Sequence, residues 1–197
     1  MSTRPTALLS AEEIARIVDR LAGEIDADHA DGVMLVGLLK GSVFFCADLI
    51  RALKVPCEID FFALSSYAPG ERRVRILKDL SHDVTGKDVV IVADIVDTGL
   101  SIGYVVDLVR ARGARTAEVC ALLDRPGRRI IPVPLRYLGL PVDDDFLVGY
   151  GLDYAERYRN VRAVVPVDPS ALAADRAGVE RALYGGKTAV PVEPDRG

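Results

Sequence analysis

The chain has 197 residues and a mass of 21.3 kDa; half of its residues are hydrophobic and 27% are charged. These values suit one globular domain with a short extension, and they exclude a disordered chain, a collagen-like repeat and a disulfide-stapled miniprotein. The formal net charge of −4 and the pI near 5.3 have the wrong sign for a protein that binds nucleic acid through phosphate charge.

Three cysteines stand at scattered positions, Cys46, Cys57 and Cys120, in or beside apolar runs and with no Cys-X-X-Cys spacing. Such cysteines are typical of reduced, buried thiols. The first nine residues lack the basic start and apolar stretch of a signal peptide. No apolar run reaches the roughly 20 residues that a membrane span needs. The sequence therefore predicts a soluble, cytoplasmic protein without a membrane partner.

The first predicted element is a helix that begins after Ser10. Ser10 and Glu13 form a capping-box pattern, and apolar residues follow at helical spacing from Ile14 to Ile25. The continuous apolar run 33–39 predicts a strand that is buried on both faces.

Helices and strands alternate along the rest of the chain. Predicted helices span residues 42–53, with Ser42 as the cap, 101–112, ended by Gly113, and 171–183. Predicted strands span residues 58–64, 74–77, 89–95, 116–123, 135–138, 146–149 and 163–167. This alternation favours an α/β fold with a mostly parallel twisted sheet flanked by helices.

Two regions fall outside this alternation. Residues 65–73 are polar and rich in turn formers, which predicts an exposed loop that can move. The domain is predicted to occupy residues 1–167, and residues 168–197 are predicted to form a C-terminal extension that is partly helical and then frayed.

The main chemical signal follows the apolar run 89–93. Two carboxylates three residues apart, Asp94 and Asp97, lead into a Thr98-Gly99 turn and a helix start at Ser101. Open parallel sheets bind ligands where strands end and helices begin, and the N–H groups of such a turn bind phosphate. An ordinary acidic helix cap is the alternative interpretation of the same residues.

This run resembles the phosphoribosyl-pyrophosphate motif of type I phosphoribosyltransferases, with acidic residues, hydrophobic residues, Asp-Thr-Gly and then Ser or Thr. Other stretches occur in family order over roughly residues 10–167 and are similar to the bacterial hypoxanthine(-guanine) phosphoribosyltransferases. They read Leu-Leu-Lys-Gly-Ser at 38–42, Ser-Ser-Tyr at 65–67, Leu-Lys-Asp-Leu at 77–80, Leu-Leu-Asp at 122–124 and Val-Gly-Tyr-Gly-Leu-Asp-Tyr-Ala-Glu-Arg-Tyr-Arg-Asn at 148–160. The resemblance implies the type I phosphoribosyltransferase fold, with a small hood and a mobile lid loop.

The same resemblance implies a purine salvage reaction. The 5-phosphoribosyl group would pass from phosphoribosyl pyrophosphate (PRPP) to a nitrogen of a 6-oxopurine, hypoxanthine or also guanine, with release of pyrophosphate and formation of IMP or GMP. Asp97 would be the acid/base group at the purine, and Asp94 would lie along the ribose hydroxyls and their magnesium. The 5′-phosphate would be held by the backbone of Asp97, Thr98, Gly99, Leu100 and Ser101.

Further roles are implied by the other motifs. Lys40, Gly41 and Arg159 would bind pyrophosphate. The purine would meet Arg125, the ring of Phe146, the backbone of Leu147 and Asp153, and Asp153 would also lie near a second Mg²⁺. The lid would contain Ser65, Ser66 and Tyr67. Relatives of this kind form dimers or tetramers, so a homo-oligomer is expected.

Three departures from the family pattern bear on activity. Ala93 stands where the family has Glu, so one carboxylate is missing beside Asp94. Arg125 stands where the family has the Lys that contacts the purine 6-oxo group, and Arg and Lys are not interchangeable. The lid is shorter than usual and carries Arg72 and Arg73.

These departures leave two alternatives open. The same chemistry could act on xanthine or another purine, or the chain could be a regulator that binds PRPP or a nucleotide with weak or no turnover. His29 and His82 carry no predicted role and are expected to be solvated. The basic group of Arg125, Arg128 and Arg129 could indicate RNA binding, but the nearby acidic run 143–145 favours a solvated loop.

Overall fold

The computed structural model describes residues 7–65, 75–143 and 145–185, and its central feature is a six-stranded sheet. The strands are β1 Val33–Leu38, β2 Cys57–Leu64, β3 Ile76–Lys78, β4 Asp88–Val96, β5 Thr116–Asp124 and β6 Tyr137–Pro141. Their order is β3-β2-β1-β4-β5-β6, in which only β3 is antiparallel to its neighbour. Two further strands, β7 Leu147–Val148 and β8 Val165–Pro166, form a separate antiparallel pair.

The first three helices cover the two faces of the sheet, and the last two pack near β7 and β8. The helices are α1 Ala11–Asp28, α2 Val43–Ala52, α3 Leu100–Ala111, α4 Pro169–Ala174 and α5 Arg176–Tyr184. In β1, Val33 and Leu35 pack with α1 and α2, whereas Met34 and Val36 pack with α3. Successive strand residues point to opposite faces, so a continuous apolar run is buried on both. The prediction of a strand that is buried on both faces is thus confirmed.

The topology leaves a cleft between β1 and β4. From β1 the chain passes through α2 to β2 on one side, whereas from β4 it passes through α3 to β5 on the other. The loops that follow β1 and β4 therefore diverge at the carboxyl edge of the sheet, where ligands bind in folds of this type.

The helix starts follow the sequence only in part. The capping box of α1 is present, because Glu13 N–H donates to Ser10 Oγ at 3.2 Å and Ser10 N–H donates to Glu13 Oε2 at 2.8 Å. Ser42 stands at the N-cap position of α2, as predicted, but its side chain makes no capping hydrogen bond. Its hydroxyl donates to the carbonyl of Leu38 at 2.6 Å, which ties the start of α2 to the end of β1.

The C-terminal helix is interrupted. The predicted helix 171–183 is two helices, because Asp175 leaves helical geometry and accepts a hydrogen bond from Gly178 N–H at 2.9 Å. Leu172 is buried against Val148 and Tyr158, so α4 packs on the rest of the protein. The predicted frayed tail, residues 186–197, lies outside the described residues, and the domain boundary at 167 stays a prediction.

The prediction that His29 is solvated is wrong. Its side chain is buried near the amino ends of β5 and β6, where Nε2 lies 3.0 Å from Tyr137 Oη and 3.1 Å from Glu118 Oε2. His82 is exposed as expected.

The short strand predicted at 135–138 is β6, which begins two residues and ends three residues further along the chain. Among residues 7–65, 75–143 and 145–185, no helix has the length and apolar character that crossing a bilayer requires.

A buried carboxylate holds the segment after β3 against β2. Asp60 accepts hydrogen bonds from the N–H groups of Ser81 at 2.6 Å and His82 at 3.0 Å, and from Lys78 Nζ at 3.1 Å. Its burial alone would raise its pKa, but these donors and Phe61 N–H together hold the pKa of Asp60 well below its usual range. Asp60 is therefore ionised and hydrogen-bonded in the folded protein.

We expect Asp60→Asn to lower the free energy of unfolding by about 2 kcal/mol near neutral pH, because charge-assisted hydrogen bonds are lost. Since the folded-state pKa lies below the unfolded value, the contribution of Asp60 is present above about pH 4 and is lost as the pH falls from there. Urea unfolding at several pH values measures the difference, with Asp107→Asn on the exposed face of α3 as the control. A loss that stays constant below about pH 4 would contradict this account.

Candidate active site

The turn from β4 into α3 forms the first wall of the site. Gly99 caps α3 with a φ of +83°, a left-handed conformation that favours glycine, and a Cβ there would lie 2.7 Å from the Ile131 carbonyl oxygen. The N–H groups of Ile130 and Ile131 donate to the Thr98 carbonyl at 2.9 and 3.2 Å, which holds the turn in place. The N-terminus of α3 therefore lies beside Asp97 in a fixed position, and a helix N-terminus is an arrangement that binds phosphate.

The loop after β1 forms the second wall. It contains a cis peptide bond between Leu39 and Lys40. A Cβ on Gly41 would lie 1.7 Å from Asp94 Oδ2, so the Asp94 carboxylate packs directly on the Gly41 backbone. This contact joins the ends of β1 and β4.

The third wall is the loop 149–161. A Cβ on Gly151, whose φ is +99°, would lie 2.0 Å from the Gly41 carbonyl oxygen. Arg159 Nη1 donates to the Gly151 carbonyl at 2.6 Å. Four residues of the loop other than glycine also have positive φ, Tyr150, Ala155, Glu156 and Tyr158. Such strained backbone clusters at functional sites, where the surrounding structure supports it.

These walls enclose a cavity of about 320 Å³ with carboxylates and cations in its lining. Nine of the predicted site residues line it: Lys40, Gly41, Asp94, Asp97, Thr98, Gly99, Ser101, Asp153 and Arg159. The structure thus brings together residues that are up to 119 positions apart in the chain, from Lys40 to Arg159.

Two cations that line this cavity are each paired with a carboxylate of the chain. Lys40 Nζ lies 2.9 Å from Glu156 Oε2, and Arg159 Nη2 lies 2.9 Å from Asp153 Oδ1. The pKa of Asp94 is raised to about 6, chiefly by desolvation and also by the Asp153 charge, although a hydrogen bond from the Ile95 backbone and the Arg159 charge oppose the rise. A cation placed beside Asp94 would relieve this desolvation cost.

The predicted purine contacts lie at the far side of Asp97. Arg125 Nη1 donates to Asp97 Oδ1 at 3.0 Å, and Arg125 Nη2 donates to the carbonyl of Asp145. The ring of Phe146 is partly buried and meets Tyr154 edge-on at a centroid distance of 5.8 Å. The expectation that Arg125 lies in a solvated loop is wrong, because the residue is 6% exposed and its neighbour Arg129 pairs with Asp124.

Other predicted residues lie beside the cavity or outside the description. Leu100 is the first residue of α3 and its side chain is not in the cavity lining, and Leu147 belongs to β7 and is buried in the core. Ser65 lies at the base of the β2–β3 connection, where its hydroxyl accepts from Arg75 N–H at 3.0 Å. Ser66 and Tyr67 lie outside the described residues.

Three contributors to the site were not predicted. Glu156 pairs with Lys40, Gly151 carries the contact with Gly41, and the chain at Ile131 supports Gly99. Glu156 and Gly151 fall inside the motif 148–160, but nothing local in the sequence indicates their partners, which are more than 100 residues away.

The donor set suits magnesium that arrives with a substrate. No group of three or more His, Cys, Asp or Glu side chains that could hold a metal ion exists in the parts of the chain that the structure covers. Asp94 and Asp153 nevertheless line one cavity, and the Asp153 charge contributes to the raised pKa of Asp94. Mg²⁺ is commonly bound by one or two carboxylates together with phosphate oxygens and waters, so these residues fit it.

Comparison with known proteins places this site in a family. The family model described as phosphoribosyl transferase domain matches residues 6–155. A hypoxanthine phosphoribosyltransferase of Salmonella typhimurium is 46% identical over 156 residues, which cover 77% of this chain and 88% of that protein. A hypoxanthine-guanine phosphoribosyltransferase of Bacillus subtilis is 41% identical over 169 residues, which cover 83% of this chain and 93% of that protein.

The fold of this chain is also similar to solved structures of such proteins. A crystal structure of a hypoxanthine-guanine phosphoribosyltransferase from Bacillus anthracis matches with a TM-score of 0.79 and 37% identity, over 83% of this chain and 98% of that one. The chain belongs to the phosphoribosyltransferase family. Its relatives there are hypoxanthine and hypoxanthine-guanine phosphoribosyltransferases, so the resemblance inferred from the motifs and the expected fold are both confirmed.

The contact between Gly151 and Gly41 can be tested by adding one methyl group. We expect Gly151→Ala to lower the free energy of unfolding by at least about 1 kcal/mol more than Gly86→Ala, measured by urea unfolding. Gly86 also has a positive φ of +71° but has nothing within 4 Å of its Cβ position, so it reports backbone strain alone. Equal losses in the two variants would show that the loop does not press on Gly41.

Proposed function

We propose that this chain transfers the phosphoribosyl group of PRPP to hypoxanthine or guanine, giving IMP or GMP and pyrophosphate. The convergence of the turn after β4, the loop after β1 and the loop 149–161 on one charged cavity is the observation that carries the proposal. The membership of the chain in a family whose similar proteins are named for this activity supports it.

The phosphate groups of PRPP have two complementary partners in the cavity. The N–H groups from Asp97 to Ser101 at the start of α3 would hold the 5′-phosphate, because a helix N-terminus attracts anions. Lys40, the Gly41 backbone and Arg159 would bind pyrophosphate. Their present partners Glu156 and Asp153 would then give way to substrate oxygens.

Magnesium would be held by Asp94 and Asp153 together with substrate oxygens. When bound, it would neutralise charge on the departing pyrophosphate. Asp94 is suited to this role because its desolvated carboxylate, which packs on Gly41, lacks a cationic side chain within salt-bridge distance among the residues described.

The purine would occupy the side of the cavity between Asp97 and Phe146. Asp97 would exchange a proton with purine N7 as the new bond forms at the ribose carbon C1′. The Phe146 ring would stack on the base, the Leu147 backbone would meet its edge, and an Arg125 N–H would donate to the 6-oxo group. Ser65, Ser66 and Tyr67 would belong to the loop that closes over this space and excludes water.

Two further properties accompany this proposal. A reducing cytoplasmic location is supported by three free thiols, of which Cys46 and Cys120 are buried with pKa values raised by desolvation. A homo-oligomer is supported by Phe44, a large apolar residue that is 39% exposed at a groove between α1 and α2 that also reaches Arg159. The neighbouring Phe45 and Leu49 are fully buried and are unavailable for an interface.

A steady-state assay tests the proposed activity. PRPP, Mg²⁺ and each of hypoxanthine, guanine, xanthine, adenine and uracil are supplied, and product nucleotide is measured. We expect turnover with the first two bases, its loss when EDTA removes Mg²⁺, and a kcat about 100-fold lower in Asp97→Asn, since general acid–base catalysis is lost. Asp107→Asn is the matched control. Absence of product with every base would overturn the proposed function.

The missing carboxylate at position 93 gives a second prediction. Ala93 lines the cavity beside Asp94 but is otherwise buried among apolar residues. We expect Ala93→Glu to lower the KM for PRPP about tenfold, because one charge-assisted contact with the substrate is added. We also expect a lower melting temperature, because a carboxylate enters an apolar cluster. Ala93→Gln separates charge from size. An unchanged or higher KM in folded Ala93→Glu would contradict this account.

A further inference from the structure

Arg125 is a buried cation at the carboxyl edge of the sheet. It directly follows β5, and its backbone N–H donates to the Val96 carbonyl at 2.9 Å, which ties it to the end of β4. Its side chain is only 8% exposed, although arginine is seldom buried without a partner. Its contacts therefore explain why it lies there.

The guanidinium spans two walls of the proposed purine space. Nη1 donates to Asp97 Oδ1 at 3.0 Å on the turn after β4, and Nη2 donates to the Asp145 carbonyl just before Phe146. These two acceptors are 48 residues apart in the chain. The Arg125 side chain is thus a bridge between the proposed acid/base group and the backbone that carries the proposed stacking ring.

The Asp97 carboxylate needs such support. Its side chain is 39% exposed, and in the described part of the chain Arg125 is the one cationic side chain that forms a salt bridge with it. A proton-transfer group must hold its orientation closely for efficient catalysis. A planar guanidinium can donate to two fixed acceptors at once, whereas the single nitrogen of a lysine offers one point.

We propose that Arg125 is a positioning residue, which fixes the orientation of the Asp97 carboxylate and its spacing from Phe146. This inference rests on the proposed function, and it goes beyond a contact between Arg125 and the base. If Arg125 acts through Asp97, its removal matters only while Asp97 carries a working carboxylate. If it acts only on the base, its removal matters equally with or without that carboxylate.

A double-mutant cycle separates these two cases. We expect Arg125→Met to lower kcat about 10- to 100-fold in the otherwise native protein, with less than about a threefold change in the KM for PRPP. In the Asp97→Asn background the same substitution should change kcat less than about twofold. Arg115→Met, which removes an arginine bound to Asp88 at the opposite edge of the sheet, is the control. Equal effects of Arg125→Met in the two backgrounds, or a change confined to the purine KM, would overturn the proposal.

Two further measurements keep the test decisive. Arg125→Lys keeps the charge but not the bridge, so we expect it to recover only part of kcat; full recovery would overturn the bridging role. Crystal structures of the native protein and of Arg125→Met or, if that variant does not fold, Arg125→Gln, compare the Asp97 side chain directly. A changed orientation of Asp97 supports the proposal and an unchanged one overturns it, even if no substrate is turned over. If the native protein itself forms no product, that result contradicts the proposed function and not the role of Arg125.

Discussion

The parallel pairing of β1 with β4 is the constraint on which the site depends. It brings the ends of two strands to one edge of the sheet, where the Gly41 backbone meets the Asp94 carboxylate. The loop 149–161 can then close over both, because Gly151 approaches the Gly41 carbonyl as no residue with a side chain could. Two glycines thus set the spacing of three chain segments. The positions of Lys40 and Arg159 follow from that spacing.

Charge pairing within the chain makes this arrangement stable before any substrate arrives. Lys40 with Glu156, Arg159 with Asp153 and Arg125 with Asp97 each place a cation beside a carboxylate. Of these side chains only Arg125 is buried, and a buried charge without a partner costs several kcal/mol, on the order of the whole stability of a domain, so Arg125 needs its partner. The pair of Lys40 and Glu156 is exposed and contributes about 1 kcal/mol or less. Asp94 has no such cationic partner among the described residues, and its pKa is raised to about 6, chiefly by desolvation. A substrate that binds with its magnesium would place phosphate oxygens beside these cations and a metal ion beside the carboxylates. No charge would then be left without a partner.

The strained loop 149–161 is supported from behind by the C-terminal helices. Leu172 of α4 is buried against Val148 and Tyr158, and the hydroxyl of Tyr184 at the end of α5 donates to Asn160 Oδ1 at 2.9 Å. Positive φ values at residues such as Ala155 and Glu156 persist only where neighbouring structure compensates their cost. Residues 168–185 therefore contribute to the shape of the site although none of them lines its cavity.

Some helices, strands and turns could be predicted because the residues that indicate them lie close together in the chain. The capping box at Ser10, the buried strands and the turn from Asp94 to Ser101 depend on spacings of a few residues, which are present in the chain before it folds. Motif order supplied the family. Only the tertiary structure decided that Ser42 bonds back to Leu38, that His29 is buried and that Arg125 bridges Asp97 and Asp145. These outcomes depend on which distant segments meet. Lys40 and Glu156, for example, are 116 residues apart, and no local pattern encodes their contact.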